Sequence, residues 1–231
     1  MRRLYLVRHG QASFEADDYD ALSVTGHEQA RLLGRVLAER GVAPDLVVRG
    51  DMRRHAETAD GLLEGLGRSG AVAVCEDRGW NEFDFDHVVR AARPDFTSRT
   101  ALLAELAAAG DARAGYQRVF EEATQRWSGG AFAEEYDEPF AAFVERVRVA
   151  LHAAAGAQPE HGTVLVVSSG GPIGVVASLA LAGDATLWGA LNRVAVNTGV
   201  TKLLHGGRGL SLLTYNDHSH VEHDRRLLTY R

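Results

Sequence analysis

A three-layer α/β/α fold with a mostly parallel central sheet follows from three features of the sequence. Short apolar runs alternate with longer segments of helical periodicity, the pattern that lays helices on both faces of a parallel sheet. One run, Thr163-Val164-Leu165-Val166-Val167, is apolar almost throughout, as a central strand covered on both faces must be. Three segments that follow strand ends carry cations, a hydroxyl or glycines just where a helix starts or the chain turns.

The first strand is Leu4-Tyr5-Leu6-Val7, and it runs into Arg8-His9-Gly10. Gly10 allows a sharp turn. Arg8 offers planar donors suited to phosphate or carboxylate oxygens, and His9 a base, ligand or nucleophile. Taken alone, the tripeptide is equally a surface arginine beside a satisfied core histidine. Gln11 to Asp20 reads as an irregular, partly acidic loop. Thr25 and Glu28 have the spacing of a capping box for a helix reaching about Arg40, with Gly41 just past its end. Pro44 precedes a second strand, Asp45 to Arg49. A helix follows from about Asp51, its expected cap, and carries Arg53, Arg54 and His55 in its first turn.

Val72 to Cys75 reads as a short strand that leads into Trp80-Asn81-Glu82-Phe83-Asp84-Phe85. Aromatics alternating with carboxylates there can hold one acid against rings and suit it to donate a proton. Residues 87–136 look helical and irregular, an insertion in a single domain of residues 1–231 that could cover the carboxyl ends of the strands. Candidate helices there are Ala101 to Ala109 and Tyr116 to Trp127. A helix from Phe140 to Ala155 has one apolar face. The central strand then meets Ser168-Ser169-Gly170-Gly171-Pro172 and an apolar helix, Ile173 to Ala182. This glycine-rich turn before a helix is a second place to hold an anion. Val194 to Leu204 and Leu210 to Tyr215 read as a final hairpin joined by Gly206-Gly207-Arg208-Gly209.

Composition narrows the classes. At 231 residues with 45% hydrophobic and 24% charged residues, the chain is ordinary globular protein. A net charge of −6 argues against nucleic acid as a partner. No run is long enough to span a bilayer, and Arg8 comes too early for a secretory signal. Cys75 is the only cysteine, which suits a cytoplasmic protein. Lys202 is the only lysine, so nearly all positive charge is arginine.

Arg8-His9, Arg54 and Ser168 to Gly171 all follow strand ends, where ligands bind in such sheets. On these residues the chain resembles the histidine phosphatase superfamily, also called the phosphoglycerate mutase-like family. Arg8-His9-Gly10 resembles its signature. Leu22-Ser23 with Gly26, Gln29 and Ala30 resembles the next conserved segment. Met52, Arg54, Thr58 and Ala59 match the spacing around its second phosphate-binding arginine, which falls on Arg54 rather than Arg53. Trp80-Asn81-Glu82 is similar to the loop with its proton-donating glutamate, and Val166 to Ile173 to its late strand-turn-helix.

The resemblance implies a phosphoric monoester hydrolase acting through a phosphohistidine on His9, with a small phosphorylated metabolite as substrate. Arg8 and Arg54 would hold the nonbridging oxygens, and Glu82 would protonate the leaving oxygen and then help activate water. Ser169, Gly170, Gln11 and Ser13 would contribute to substrate binding. No metal or other cofactor is implied, nor a membrane or nucleic acid; a homodimer is the assembly considered. The departure is Ser169, where the family carries a second histidine. Losing one preorganised donor typically costs about 10²–10³ in turnover. A weakly active or non-catalytic phospho-ligand binding protein is therefore one alternative, and phosphoglycerate mutase-type phosphoryl transfer is another. The histidine-rich tail, Asn216 to Asp224, invites a metal reading, but places His218 or His220 equally well in the pocket or in plain polar surface. A serine hydrolase elbow on Ser168 or Ser169 fails because Val166 and Val167, not glycine, stand two places before them. A dinucleotide fold fails because the glycines after the first strand lack the required spacing.

Overall fold

The computed structural model describes residues 1–13, 20–108, 110, 112–157, 162–207 and 209–230. The loop expected over 14–19 and the hairpin position Arg208 lie outside the described residues. The chain divides into two compact units, residues 1–82 with 147–231, and residues 83–146.

The first unit is built on a six-stranded sheet of order β3-β2-β4-β1-β5-β6 among the described residues. The strands are β1 (Arg2–Arg8), β2 (Leu46–Arg49), β3 (Ala73–Glu76), β4 (Thr163–Ser168), β5 (Val200–Gly206) and β6 (Gly209–Asp217). β1 to β4 pair in parallel, while β5 runs antiparallel to β1 and closes a hairpin with β6. β4 lies between β2 and β1 and is buried at every residue, the environment its apolar run demands.

Helices α1 (Val24–Glu39) and α2 (Arg53–Gly65) pack together on one face of the sheet. Leu33 and Leu37 of α1 and Ala59, Leu62 and Leu63 of α2 share a core with Val7, Val47, Leu165 and Val167. Strand alternation sends Leu4, Leu6, Val164 and Val166 to the opposite face. There is no room for side chains where these helices cross the strand ends. A Cβ on Gly26 would come within 2.2 Å of the Gln11 carbonyl oxygen.

In the second unit, α3 (Phe85–Ala92) and α4 (Arg99–Ala108) both pack on α5 (Ala112–Ser128). The boundary after Arg146 falls inside α6 (Phe140–Gly156). Phe83, Phe140 and Phe143 surround Trp127, with ring centroids 4.6, 5.0 and 5.3 Å away. Such pairs add to plain area burial.

Several boundaries differ from the sequence expectation. The α1 cap is Ser23, whose Oγ accepts the Gly26 N–H at 3.0 Å, rather than Thr25. Asp51 does not cap α2; its carboxylate pairs with Arg78 at 2.6 Å and accepts from Asn81 Nδ2 at 2.6 Å. α7 (Gly170–Ala182) begins before Pro172, which occupies the first turn, where an N–H has no helical partner to lose. Residues 194–199 are not strand. α8 (Trp188–Arg193) and a loop fill the chain up to β5, since Thr198 takes φ 57. β3 is an exposed edge strand.

The cap assignment predicts a contrast. Ser23→Ala should lower unfolding stability by about 1 kcal/mol, the usual loss of an N-cap, while Thr25→Ala should change it by less than about 0.5 kcal/mol. Urea denaturation of both variants checks this; equal losses would restore Thr25 as the cap.

Candidate active site

β1 and β4 finish side by side: Arg8 is in register with Ser168, and the His9 N–H donates to the Ser168 carbonyl at 2.8 Å. His9 Nδ1 lies 2.7 Å from the Gly10 carbonyl oxygen. A carbonyl can only accept, so Nδ1 carries the proton and Nε2 presents a lone pair. His9 is buried, and that burial, then the charges of Arg54 and Arg8 and the neighbouring His55, hold its pKa well below 6.5 against the pull of the Gly10 carbonyl. At neutral pH the ring is therefore uncharged.

The backbone behind His9 is fixed from the β5 side. Asn197 Nδ2 donates to the His9 carbonyl at 3.0 Å, and the Thr198 N–H reaches the Arg8 and His9 carbonyls at 3.1 and 3.3 Å. These bonds offset the cost of a β-branched residue in the left-handed region.

Arg8 Nη1 donates to the carbonyls of Ala195 at 2.5 Å and Tyr230 at 2.7 Å. Its Nε would be only 3.7 Å from a Cβ on Gly170, so the guanidinium borders the first turn of α7. Arg54 comes from the first turn of α2 and is buried. Its Nη1 meets Asp20 Oδ1 at 2.6 Å, and Asp20 Oδ2 accepts the Arg53 N–H at 2.7 Å. Asp20 thus supplies the negative charge at this helix N-terminus that Asp51 does not. Thr58, one turn on, donates to the Arg54 carbonyl at 2.6 Å and accepts the Gly10 N–H at 3.0 Å. That pair of bonds ties the arginine's helix to the residue after His9. Arg53 points outward and pairs with Glu57 at 2.7 Å.

Glu82 reaches the same strand ends from the β3 side. Ser168 Oγ donates to the Trp80 carbonyl at 2.6 Å, and Glu82 Oε2 accepts the Gly171 N–H at 3.1 Å. Asn81 fastens the loop by exchanging two hydrogen bonds with Asp51, at 2.9 and 2.6 Å. Ser169 is fully buried at the N-terminus of α7, beside Gly170.

The other predicted residues stand further back. The Gln11 side-chain oxygen accepts from Ser23 Oγ at 2.9 Å, at the start of α1. Ser13 is held through its N–H to the Ala21 carbonyl at 2.8 Å. His218 is half-buried, with Nδ1 2.6 Å from the Asn216 carbonyl and Nε2 3.4 Å from Glu222. His220 is buried against Thr198, Nε2 to Oγ1 2.9 Å, and the Thr198 N–H in turn reaches the His9 carbonyl at 3.3 Å. Burial lowers its pKa to about 4, although Asp217 pulls the other way. Among the described residues, no group of three or more His, Cys, Asp or Glu side chains is placed to hold a metal ion. None of their helices is long and apolar enough to cross a membrane.

The site also contains residues that sequence reasoning missed. Asp20 was visible only as the end of an acidic stretch. His55 sits next to Arg54, fully buried, with its ring centroid 5.8 Å from that of His9. Burial first, then Arg54 and Arg49, hold its pKa well below 6.5. The available signal was its place in the same helical turn as a phosphate-type arginine.

This polar cluster lies at the carboxyl ends of a mostly parallel sheet, where ligands bind in open α/β folds. The chain belongs to the histidine phosphatase superfamily (branch 1), whose family model matches residues 4–218. A 2,3-bisphosphoglycerate-dependent phosphoglycerate mutase from Chelativorans sp. (strain BNC1) is 35% identical over 88 residues, a segment that is 36% of this chain and 42% of the mutase. The match therefore spans less than half of that protein's length. A mycobacterial glucosyl-3-phosphoglycerate phosphatase structure superposes with a TM-score of 0.65 at 24% identity, covering 94% of this chain and 99% of its own. A mutant phosphoserine phosphatase from Entamoeba histolytica in complex with phosphoserine gives 0.64 at 17% identity, covering 96% and 100%. These structural likenesses establish the shared fold.

Buried neutral histidines tie stability to pH. Above about pH 6.5, His9, His55 and His220 are uncharged in both folded and unfolded chains, so they contribute no pH dependence. Below it the unfolded chain takes up protons that the folded chain refuses, and stability falls with pH by up to about 1.4 kcal/mol per unit for each histidine. Urea unfolding between pH 7.5 and 5 should show this slope, and His55→Gln should reduce it by about one proton. A flat profile would contradict the burial of neutral rings.

Proposed function

We propose that this chain is a phosphatase of small phosphorylated metabolites that works through a phosphohistidine on His9. The observation that carries the reading is the neutral His9, its Nδ1 proton engaged by Gly10 and its Nε2 lone pair available, beside the guanidiniums of Arg8 and Arg54. Nε2 attacks phosphorus in line, a P–N bond forms, and the bond to the leaving oxygen breaks with its electron pair. Glu82 gives that oxygen a proton. Water then attacks the phosphohistidine, Glu82 takes up its proton, and inorganic phosphate departs with His9 restored. Arg8 and Arg54 meet the charge on the nonbridging oxygens, so no metal is needed.

The mutase similarity supports a second reading, in which the phosphoryl group returns to another hydroxyl of the substrate rather than to water. Incubation with 3-phosphoglycerate and 2,3-bisphosphoglycerate separates the two: free phosphate means hydrolysis, and isomer without free phosphate means transfer. Ser169 supports a third, a phospho-ligand binding protein with little turnover.

A panel of phosphomonoesters with chelator present tests the first reading. His9→Ala should lose about 10⁴-fold or more in kcat/KM, and Arg54→Ala about 10²–10³-fold. Glu82→Gln should lose about 10²–10⁴-fold on alkyl phosphates but less on p-nitrophenyl phosphate, whose phenolate leaves without a proton. Activity that persists in His9→Ala, or that vanishes with chelator, would overturn the mechanism.

A further inference from the structure

His55 and Ser169 come from different helices and meet inside the site. His55 Nε2 lies 2.7 Å from Ser169 Oγ, and both side chains are completely buried. Neither residue has a structural task that explains the contact. Ser169 stands at the N-cap of α7, yet its side chain makes no capping hydrogen bond. His55 Nδ1 is buried with no hydrogen-bond partner among the described residues. An orphaned, buried imidazole nitrogen is costly, and such groups concentrate where function demands them.

Hydrogen-bond logic fixes the direction of the contact. His55 is neutral, so its ring carries a single proton. On Nδ1 that proton would have no acceptor; on Nε2 it bonds Ser169 Oγ. Ser169 therefore accepts from His55, and its own hydroxyl hydrogen points elsewhere. Ser169 follows the strand end that adjoins His9, and Gly170 after it borders Arg8. The His55 ring is itself 5.8 Å from that of His9.

We propose that His55 and Ser169 form a two-part donor in which the His55 Nε2–H turns and polarises the Ser169 hydroxyl so that it donates to a nonbridging oxygen of the phosphoryl group at His9. The pair fills the position where the family resemblance puts a second histidine, with the imidazole moved one side chain back onto α2. A hydroxyl that also accepts a hydrogen bond is a stronger donor than a lone serine, because bonds in a chain polarise one another. The pair rests on the phosphoryl-transfer reading. Ser169 touches the substrate, whereas His55 is a positioning residue that acts through it.

Four variants and one spectrum test the pair. Ser169→Ala and His55→Ala should each slow phosphorylation of His9 by p-nitrophenyl phosphate by about 10²-fold, at little change in KM, as for removal of one preorganised donor. The double variant should be no slower than the worse single one, since both remove the same hydrogen bond to substrate. His55→Gln, whose amide can present an N–H near the Nε2 position, should recover most of the rate. Orthovanadate affinity should fall in parallel with the rates. The 15N spectrum of the wild-type imidazoles should show His55 neutral and protonated on Nε2. Where His55→Ala fails to fold, Ser169→Ala, His55→Gln and the spectrum decide. A His55→Ala variant with wild-type rate, multiplicative losses in the double variant, or a His55 protonated on Nδ1 would overturn the pair. A wild-type chain that neither turns over p-nitrophenyl phosphate nor binds orthovanadate would instead overturn the phosphoryl-transfer reading, and the pair with it.

Discussion

The parallel pairing of β1 with β4 is the constraint on which the site depends. Its register sets Arg8 against Ser168, and one further bond, from the His9 N–H to the Ser168 carbonyl, carries the pairing past the strand ends. Two segments far apart in the sequence are thereby fixed to within a hydrogen bond of each other. A slip of one residue would turn His9 and Ser169 to the wrong faces. β4 is buried on both faces, so what opposes the slip is the polar strand end: a shift would draw Arg8 toward the core and break its bonds to the Ala195 and Tyr230 carbonyls. Fold and site are thus held by the same contacts.

Electrostatics explain why the buried Arg54 and the half-buried Arg8 are tolerable side by side. Arg54 is met by Asp20, and the carbonyls of Ala195 and Tyr230 receive Arg8. Partners of this kind offset the desolvation of a charge, though not fully. The residual positive potential has a chemical effect. Added to burial, which is the larger cause, it keeps His9 and His55 unprotonated, so the His9 Nε2 lone pair stays available beside two guanidinium groups. An anionic group arriving there completes the charge balance.

Much of this was legible in the sequence, for identifiable reasons. Arg8-His9-Gly10 ends an apolar strand, and a strand end has few places to go. Arg54 separates from Arg53 by helical spacing: Arg54 and Thr58 share the inner face of α2, while Arg53 and Glu57 pair on the outer one. β4 announced itself by continuous apolarity. What stayed hidden depended on distant partners. Ser23 and Thr25 are both plausible caps until the entry angle of the chain is known. The role of Asp20 depends on where α2 begins. A single histidine in a helix carries no sign of burial, so His55 could not be matched to the unexpected serine at 169. The loop 194–199 read as strand because its apolar residues gave no hint that Thr198 must turn left-handed to brace His9.

The central claim is a covalent one: His9 Nε2 carries the phosphoryl group. The most direct measurement is rapid quenching of the wild-type protein with a 32P-labelled phosphomonoester, followed by peptide mapping under alkaline conditions that preserve phosphohistidine. The account predicts acid-labile label on the peptide containing His9, formed and discharged at rates compatible with turnover and absent from His9→Ala. Turnover without label on His9, or label on another residue, would contradict it.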